Sequence, residues 1–268
     1  MTIDVWNAAT FDAELLDLLR GNAELIRQHV KTENANFLKY DLNNGPNRPL
    51  RRPDNLFFGG FLRLQEDLGE YMQRRTIRAW HYTRMTDDEV TVLRRDGMHL
   101  STPDTLRERL DRLAASGAVG SECANQLFER SPIHGDQREA RAGKVWFVSH
   151  PIAVRDSRVT GLLRYWGGEV VSFWADDAAL LEPIEKAGRG RVLEVGVPLA
   201  VTKHSFTAAG AVLATYARAI EGVEGANAFD LCAIEPIPGS SVLRVNTEGD
   251  GAYEAIGDSY PADFVDVD

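Results

Sequence analysis

Cysteine is scarce in this chain of 268 residues, with only Cys123 and Cys232. They lie too far apart for a redox or zinc motif, so reduced, partly buried thiols are expected. No His-x-x-x-His, no Cys-x-x-Cys and no carboxylate cluster with metal-ligand spacing occurs, and no metal site is expected. A Gly-x-x-x-x-Gly-Lys phosphate loop and a Gly-x-Ser-x-Gly nucleophile elbow are missing as well, which removes P-loop nucleotidases and α/β-hydrolases. A Rossmann site is disfavoured too. Every apolar run falls short of the roughly 20 residues of a membrane helix. The start Met1-Thr2-Ile3-Asp4 has neither the basic beginning nor the apolar core of a signal peptide. The expectation is a cytoplasmic protein without a membrane partner.

Positive charge is absent from residues 246 to 268, which hold seven carboxylates and no Lys or Arg. The formal net charge is −10, and this tail supplies most of it, leaving 33 of the 40 acidic residues against all 30 basic ones. With few large apolar residues, the tail is expected to be mobile or to lie across basic residues. Arg48, Arg51, Arg52, Arg63, Arg74, Arg75, Arg78 and Arg84 outnumber the acids of one stretch. They form either a solvated surface or a local anion-binding face.

What the chain does contain is periodic. Phe11, Leu15, Leu16, Leu19, Leu25, Ile26, Val30 and Phe37 predict helix over 10–39 with a break at Gly21-Asn22. Asn43 to Pro49 break the chain, and Leu62 to Arg75 predict another helix. Ala79 to Thr83 then read as a strand, Thr86 and Glu89 as the capping box of a short helix, and Gly97 as its stop before a second strand. Helices are expected over 103–113, 121–128 and 207–220. Strands are expected over 145–149, 170–174, 191–199, 229–234 and 241–245. Strands scattered among short helices, without regular βαβ alternation, indicate an α+β fold. The division expected is a helical N-terminal extension (1–75), a core (76–245) and the acidic tail (246–268).

Two places can hold chemistry. His81 stands at the exit of a strand, where a scaffold presents a polar side chain to a cleft. Tyr165-Trp166-Gly167-Gly168-Glu169 couples aromatic rings to glycines that let backbone approach a ligand, and Glu169 heads the strand expected next. Asp230, at the opening of a late strand, is a competing carboxylate.

With these residues in view, the order of elements resembles the histidine-containing branch of the ADP-ribosyltransferase superfamily. The likeness rests on His81-Tyr82-Thr83, a short helix, Gly97-Met98, the aromatic strand 145–149 and the pair of strands across 229–245. It implies a split β-sheet that binds NAD as co-substrate between its halves. His81, Tyr82 and Thr83 would contact NAD, with His81 on a ribose hydroxyl, and an aromatic among Trp146, Tyr165 and Trp166 would stack on nicotinamide. A carboxylate would support the ribose as the glycosidic bond breaks. The family carries a glutamate at the head of a late strand, where this chain has Asp230; Glu169 fits the chemistry but comes earlier. The implied activity is transfer of ADP-ribose to an intracellular protein, RNA or DNA, as in toxins and antiphage effectors, with an inhibitory partner protein among the implied partners. The rivals are an NAD glycohydrolase on the same cleft and a catalytically inactive binding module.

Overall fold

Apolar spacing and capping residues account for most of the helices in the computed structural model, which describes residues 1–41, 52–222, 228–258 and 260. The expected break at Asn43–Pro49, Arg48, Arg51 and the acids Asp263, Asp266 and Asp268 lie outside the described residues. In chain order come β1 (Thr2–Ile3), α1 (Ala13–Gly21), α2 (Ala23–Asn36), α3 (Phe58–Met72), β2 (Thr76–Met85), α4 (Asp87–Asp96), α5 (Pro103–Ala115) and α6 (Ser121–Glu129). Then follow α7 (Arg138–Arg141), β3 (Val145–Val148), α8 (Ser157–Arg164), α9 (Glu169–Ser172), α10 (Ala178–Lys186), β4 (Arg189–Pro198), α11 (Ser205–Glu221), β5 (Asp230–Ala233), β6 (Val242–Thr247) and α12 (Gly251–Glu254). The chain mixes helix and strand around an open antiparallel sheet, compatible with the α+β class. Among the described residues no helix is long and apolar enough to cross a membrane.

Two compact units divide the chain. The described residues of the first come from Met1–Thr76 and His204–Ala228, so the N-terminal helices are completed by α11 rather than standing as an extension of 75 residues. α3 and α11 approach closely because Gly69 faces the Phe206 backbone, where an added Cβ would lie 3.3 Å from Cα. Arg75 is held by Asp12 and Glu14 at 3.1 and 2.9 Å, and Arg52 by Glu33.

The second unit, Ile77–Lys203 with Phe229–Tyr260, holds the sheet in the order β5-β3-β2-β4-β6. β3 and β5 share four register pairs, from Val145↔Ala233 to Val148↔Asp230. β4 and β6 share five. β2 and β3, by contrast, meet in the single pair Trp80↔Val148. Farther along, β2 makes a bridge at Arg84 with Trp166. His81, Tyr82 and Thr83 are the residues between these two attachments.

Strand alternation sends neighbouring side chains of β2 to opposite faces. Trp80 and Tyr82 enter a core with Ile152, Val159, Leu163, Val192 and Tyr253, so His81 and Thr83 take the other face. A separate, helical core joins Leu106, Leu110, Leu127, Trp166, Val171 and Ile184.

Three expectations need correction. The second strand expected after Gly97 is one isolated bridge, Met98↔Ile237. There Gly97 at φ 89° ends α4, and a Cβ would fall 2.1 Å from the Ile237 carbonyl oxygen. The strand expected over 170–174 is instead the four-residue helix α9. Gly167 and Gly168, at φ 77° and 58°, turn the chain so that the Gly168 carbonyl accepts from the Ser172 N–H and hydroxyl, both at 2.9 Å. Of the two expectations for the tail, mobility fails for its described residues, while Glu248 does lie against Arg84 at 3.1 Å. β6 continues to Thr247, Tyr253 is buried, and Ile256 and Tyr260 pack on the same core.

Of the arginines read as a solvated surface or an anion-binding face, Arg52, Arg75, Arg78 and Arg84 pair with carboxylates. Arg78 pairs with Glu194 at 2.7 Å. Arg84 donates to the carbonyls of Ala187, Leu163 and Gly188 and to Glu248.

Candidate functional site

β2 carries His81 to the joint between β2 and β3, where its Nδ1 lies 2.8 Å from the Trp146 carbonyl oxygen. A carbonyl only accepts, so Nδ1 bears the hydrogen, and in the neutral ring Nε2 keeps a lone pair for a ligand. Burial holds His81 below its ordinary pKa of 6.5; the bond to Trp146 opposes this, and the charge of Arg109 adds to it. The neutral imidazole with an accepting Nε2 is therefore the form at neutral pH. Thr83, two residues on, is buried on the same face. Tyr82 is turned away. Its hydroxyl donates to the Ile152 carbonyl at 2.7 Å and accepts from the Ile152 N–H at 2.6 Å, which makes it a core residue rather than the ligand contact expected.

Of the three candidate aromatics, Trp146 remains accessible, with 42% of its surface exposed. Its indole N–H is fixed on the Ala140 carbonyl at 2.9 Å, which orients the ring, and Lys144 Nζ lies 6.0 Å from the ring centroid. Tyr165 is half-buried with Arg164 over its ring. Trp166 is fully buried and belongs to the helical core; it cannot stack on a ligand there. Its indole N–H donates instead to Glu89 at 2.7 Å.

Glu89 is the residue with more work than its sequence position indicates. As N3 of α4 it closes the capping box, accepting from the Thr86 N–H at 2.9 Å. It also holds Arg109 of α5 through Nε at 2.9 Å and Nη2 at 2.8 Å. Burial pushes its carboxyl up, but Arg109, the Thr86 N–H and the indole outweigh burial and keep it below its ordinary value. Sequence reasoning found Glu89 as a cap and missed Arg109. No signal in the sequence ties position 109 to positions 89 and 166.

The two candidate carboxylates sit differently. Glu169, at the start of α9, is exposed and pairs through Oε2 with Arg141 at 2.8 Å. Arg141 in turn lies against Phe173, 4.5 Å from the ring centroid. Because Arg141 follows Ala140, the residue that receives the Trp146 indole, Glu169 is joined to Trp146 and so to His81 by a short run of contacts. Asp230 lies in one row across the sheet with Val148 and Trp80. Paired residues point to one face, so its carboxylate projects to the Trp80 face, away from His81. Asp230 bears instead on His150, whose pKa is lowered by burial and by Arg158 while Asp230 opposes.

The structure thus places His81 and Thr83 on one face of the sheet, where the Phe147 ring lies 5.8 Å from the imidazole, and leaves Tyr82, Trp166, Asp230 and the ring of Trp146, which shares the Trp80 face with Val148, apart from them. Among the described residues no group of three or more His, Cys, Asp or Glu is placed to hold a metal ion. A hollow of about 410 Å³ in the first unit, beside Glu33, Arg52, Asn55 and Phe58, borders none of these residues. Comparison with family models, curated proteins and solved structures finds no match.

Proposed function

We propose that the second unit is an NAD-dependent ADP-ribosyltransferase with a split sheet, acting on an intracellular protein or nucleic acid. The observation that carries this reading is the single-pair joint between β2 and β3 at Trp80, with His81 next in the chain. A sheet attached at one point can open a cleft there, and His81 Nε2 is free to accept from a ribose hydroxyl. Trp146 contributes its backbone carbonyl, which fixes the His81 ring at 2.8 Å, and Phe147 is the aromatic beside that imidazole, 5.8 Å between ring centroids. As the glycosidic bond breaks, its electron pair leaves with nicotinamide and positive charge builds on the ribose. Glu169, which uses only Oε2 on Arg141, keeps Oε1 for that charge, an interaction stronger in the transition state than in the ground state. The acceptor nucleophile then bonds to the ribose carbon and gives up its proton to solvent.

A binding module without catalysis is the second reading, and the Arg141–Glu169 ion pair favours it, because that pair neutralises the carboxylate the chemistry needs. Incubation with labelled NAD tests both. Nicotinamide release with label transferred to protein or RNA supports the transferase; release without transfer indicates a glycohydrolase; NAD binding without release indicates the module.

A further inference from the structure

Arg109 is more firmly held than a surface arginine. One side of its guanidinium, Nε and Nη2, is committed to Glu89 Oε1, and its carbon lies 4.6 Å from the centroid of the buried Trp166 ring. Glu89 is itself fixed by the Trp166 indole and the Thr86 N–H. Its negative charge therefore sits on the N-terminal turn of the ten-residue α4, where the helix dipole offsets it. The Nη1 side of the fork remains, on a side chain still 32% exposed. Trp166 also anchors this assembly to β2 at Arg84, three residues from His81. The charge of Arg109 adds to the lowering of the His81 pKa that burial causes.

We infer that Arg109 is a prepositioned anion-binding residue beside His81 that takes the pyrophosphate of the ligand through its Nη1 side, with Glu89 as its positioning residue. The inference rests on the NAD reading for the identity of that anion, a pyrophosphate joining two nucleosides. It stands physically on the fixed fork, because a guanidinium already immobilised loses little freedom when it binds, and its planar donors match phosphate oxygens.

The test uses the full chain and inorganic pyrophosphate as probe, by titration calorimetry at low salt, with NAD turnover measured separately. Since Arg109→Gln alone would strand a buried carboxylate, the variants are Arg109→Lys, which keeps the charge, and the double change Arg109→Met with Glu89→Gln, which removes the pair together. The double variant, shown folded by circular dichroism, is expected to lose pyrophosphate affinity by about tenfold or more. Arg109→Lys is expected to lose several-fold through loss of the fork. It is the deciding measurement if the double variant does not fold. Pyrophosphate affinity within twofold of the unsubstituted protein in the deciding variant overturns the inference. So does absence of pyrophosphate binding in the unsubstituted protein, even where NAD is turned over, in which case the transferase reading survives alone. Pyrophosphate binding that depends on Arg109 in a protein inert toward NAD leaves the anion site standing and removes the transferase.

Discussion

The Nδ1 of His81 meets the backbone carbonyl of Trp146 at 2.8 Å, next to the one pair that joins β2 to β3. Ordinarily a strand carbonyl is satisfied by the neighbouring ladder. Here a side chain satisfies it, and the histidine is locked in one tautomer at the point where the strands part.

His81→Ala removes this bond and the open Nε2 together. Since the ring is half-buried and outside the main cores, the thermal midpoint should stay within a few degrees, while nicotinamide release is abolished. Midpoint and turnover measured on the same preparation decide the matter. Retained turnover per folded molecule, with a large drop in midpoint, would assign His81 to packing.

Acid should destabilise the protein. Burial lowers the pKa of His29, His81 and His150, so the folded state resists protonation that the unfolded chain accepts. The contribution is full above the unfolded value of about 6.5 and is lost as pH falls below it toward the depressed folded values. Urea midpoints taken between about pH 7.5 and pH 5.5 should decrease, and His150→Asn should flatten the slope. A midpoint constant over that range would refute the expectation.

Tyr253 ties the acidic segment to the sheet. It is buried among Trp80, Val192 and Leu163, with its hydroxyl pushed up to about 12 by burial and then by Glu248 and Glu254. Tyr253→Ala should cost about 3–5 kcal/mol, the range for losing a large buried aromatic, and ending the chain at 245 should cost more. Urea denaturation of both variants measures this. Unchanged stability on truncation would restore the mobile tail.

Local signals were the legible ones. The capping box of Thr86 and Glu89 and the stop at Gly97 follow from bonds within one turn, and their residues announce them. The helix at Glu169 was hidden because Val170 and Val171 favour strands, while the turn that overrides them depends on two glycines at positive φ. The fate of Trp166 was hidden for a different reason. Its indole partner, Glu89, lies 77 residues away, and no periodicity encodes such a pair. Asp230 likewise read as a candidate until the register placed it in the row of Trp80.

The carboxylate separates enzyme from binding module. Glu169 is held by Arg141, next in the chain to the Ala140 that receives the Trp146 indole, whereas Asp230 and the Trp146 ring share the face opposite His81. If Glu169 supports the ribose cation, Glu169→Gln should leave NAD affinity nearly constant and cut turnover by roughly 100-fold or more, about 3 kcal/mol of transition-state stabilisation. Asp230→Asn should change turnover little, since its charge acts on His150 and Arg158. Arg141→Gln adds an independent readout. Freeing Glu169 from its ion pair should alter turnover without moving NAD affinity if the carboxylate acts on the ribose, and should alter neither if the pair is only a surface contact. Single-turnover rates and NAD binding measured on all three variants distinguish these outcomes. An inactive Asp230→Asn beside an active Glu169→Gln would transfer the role to the late strand, and with it the expectation that the catalytic cleft opens on the Trp80 face.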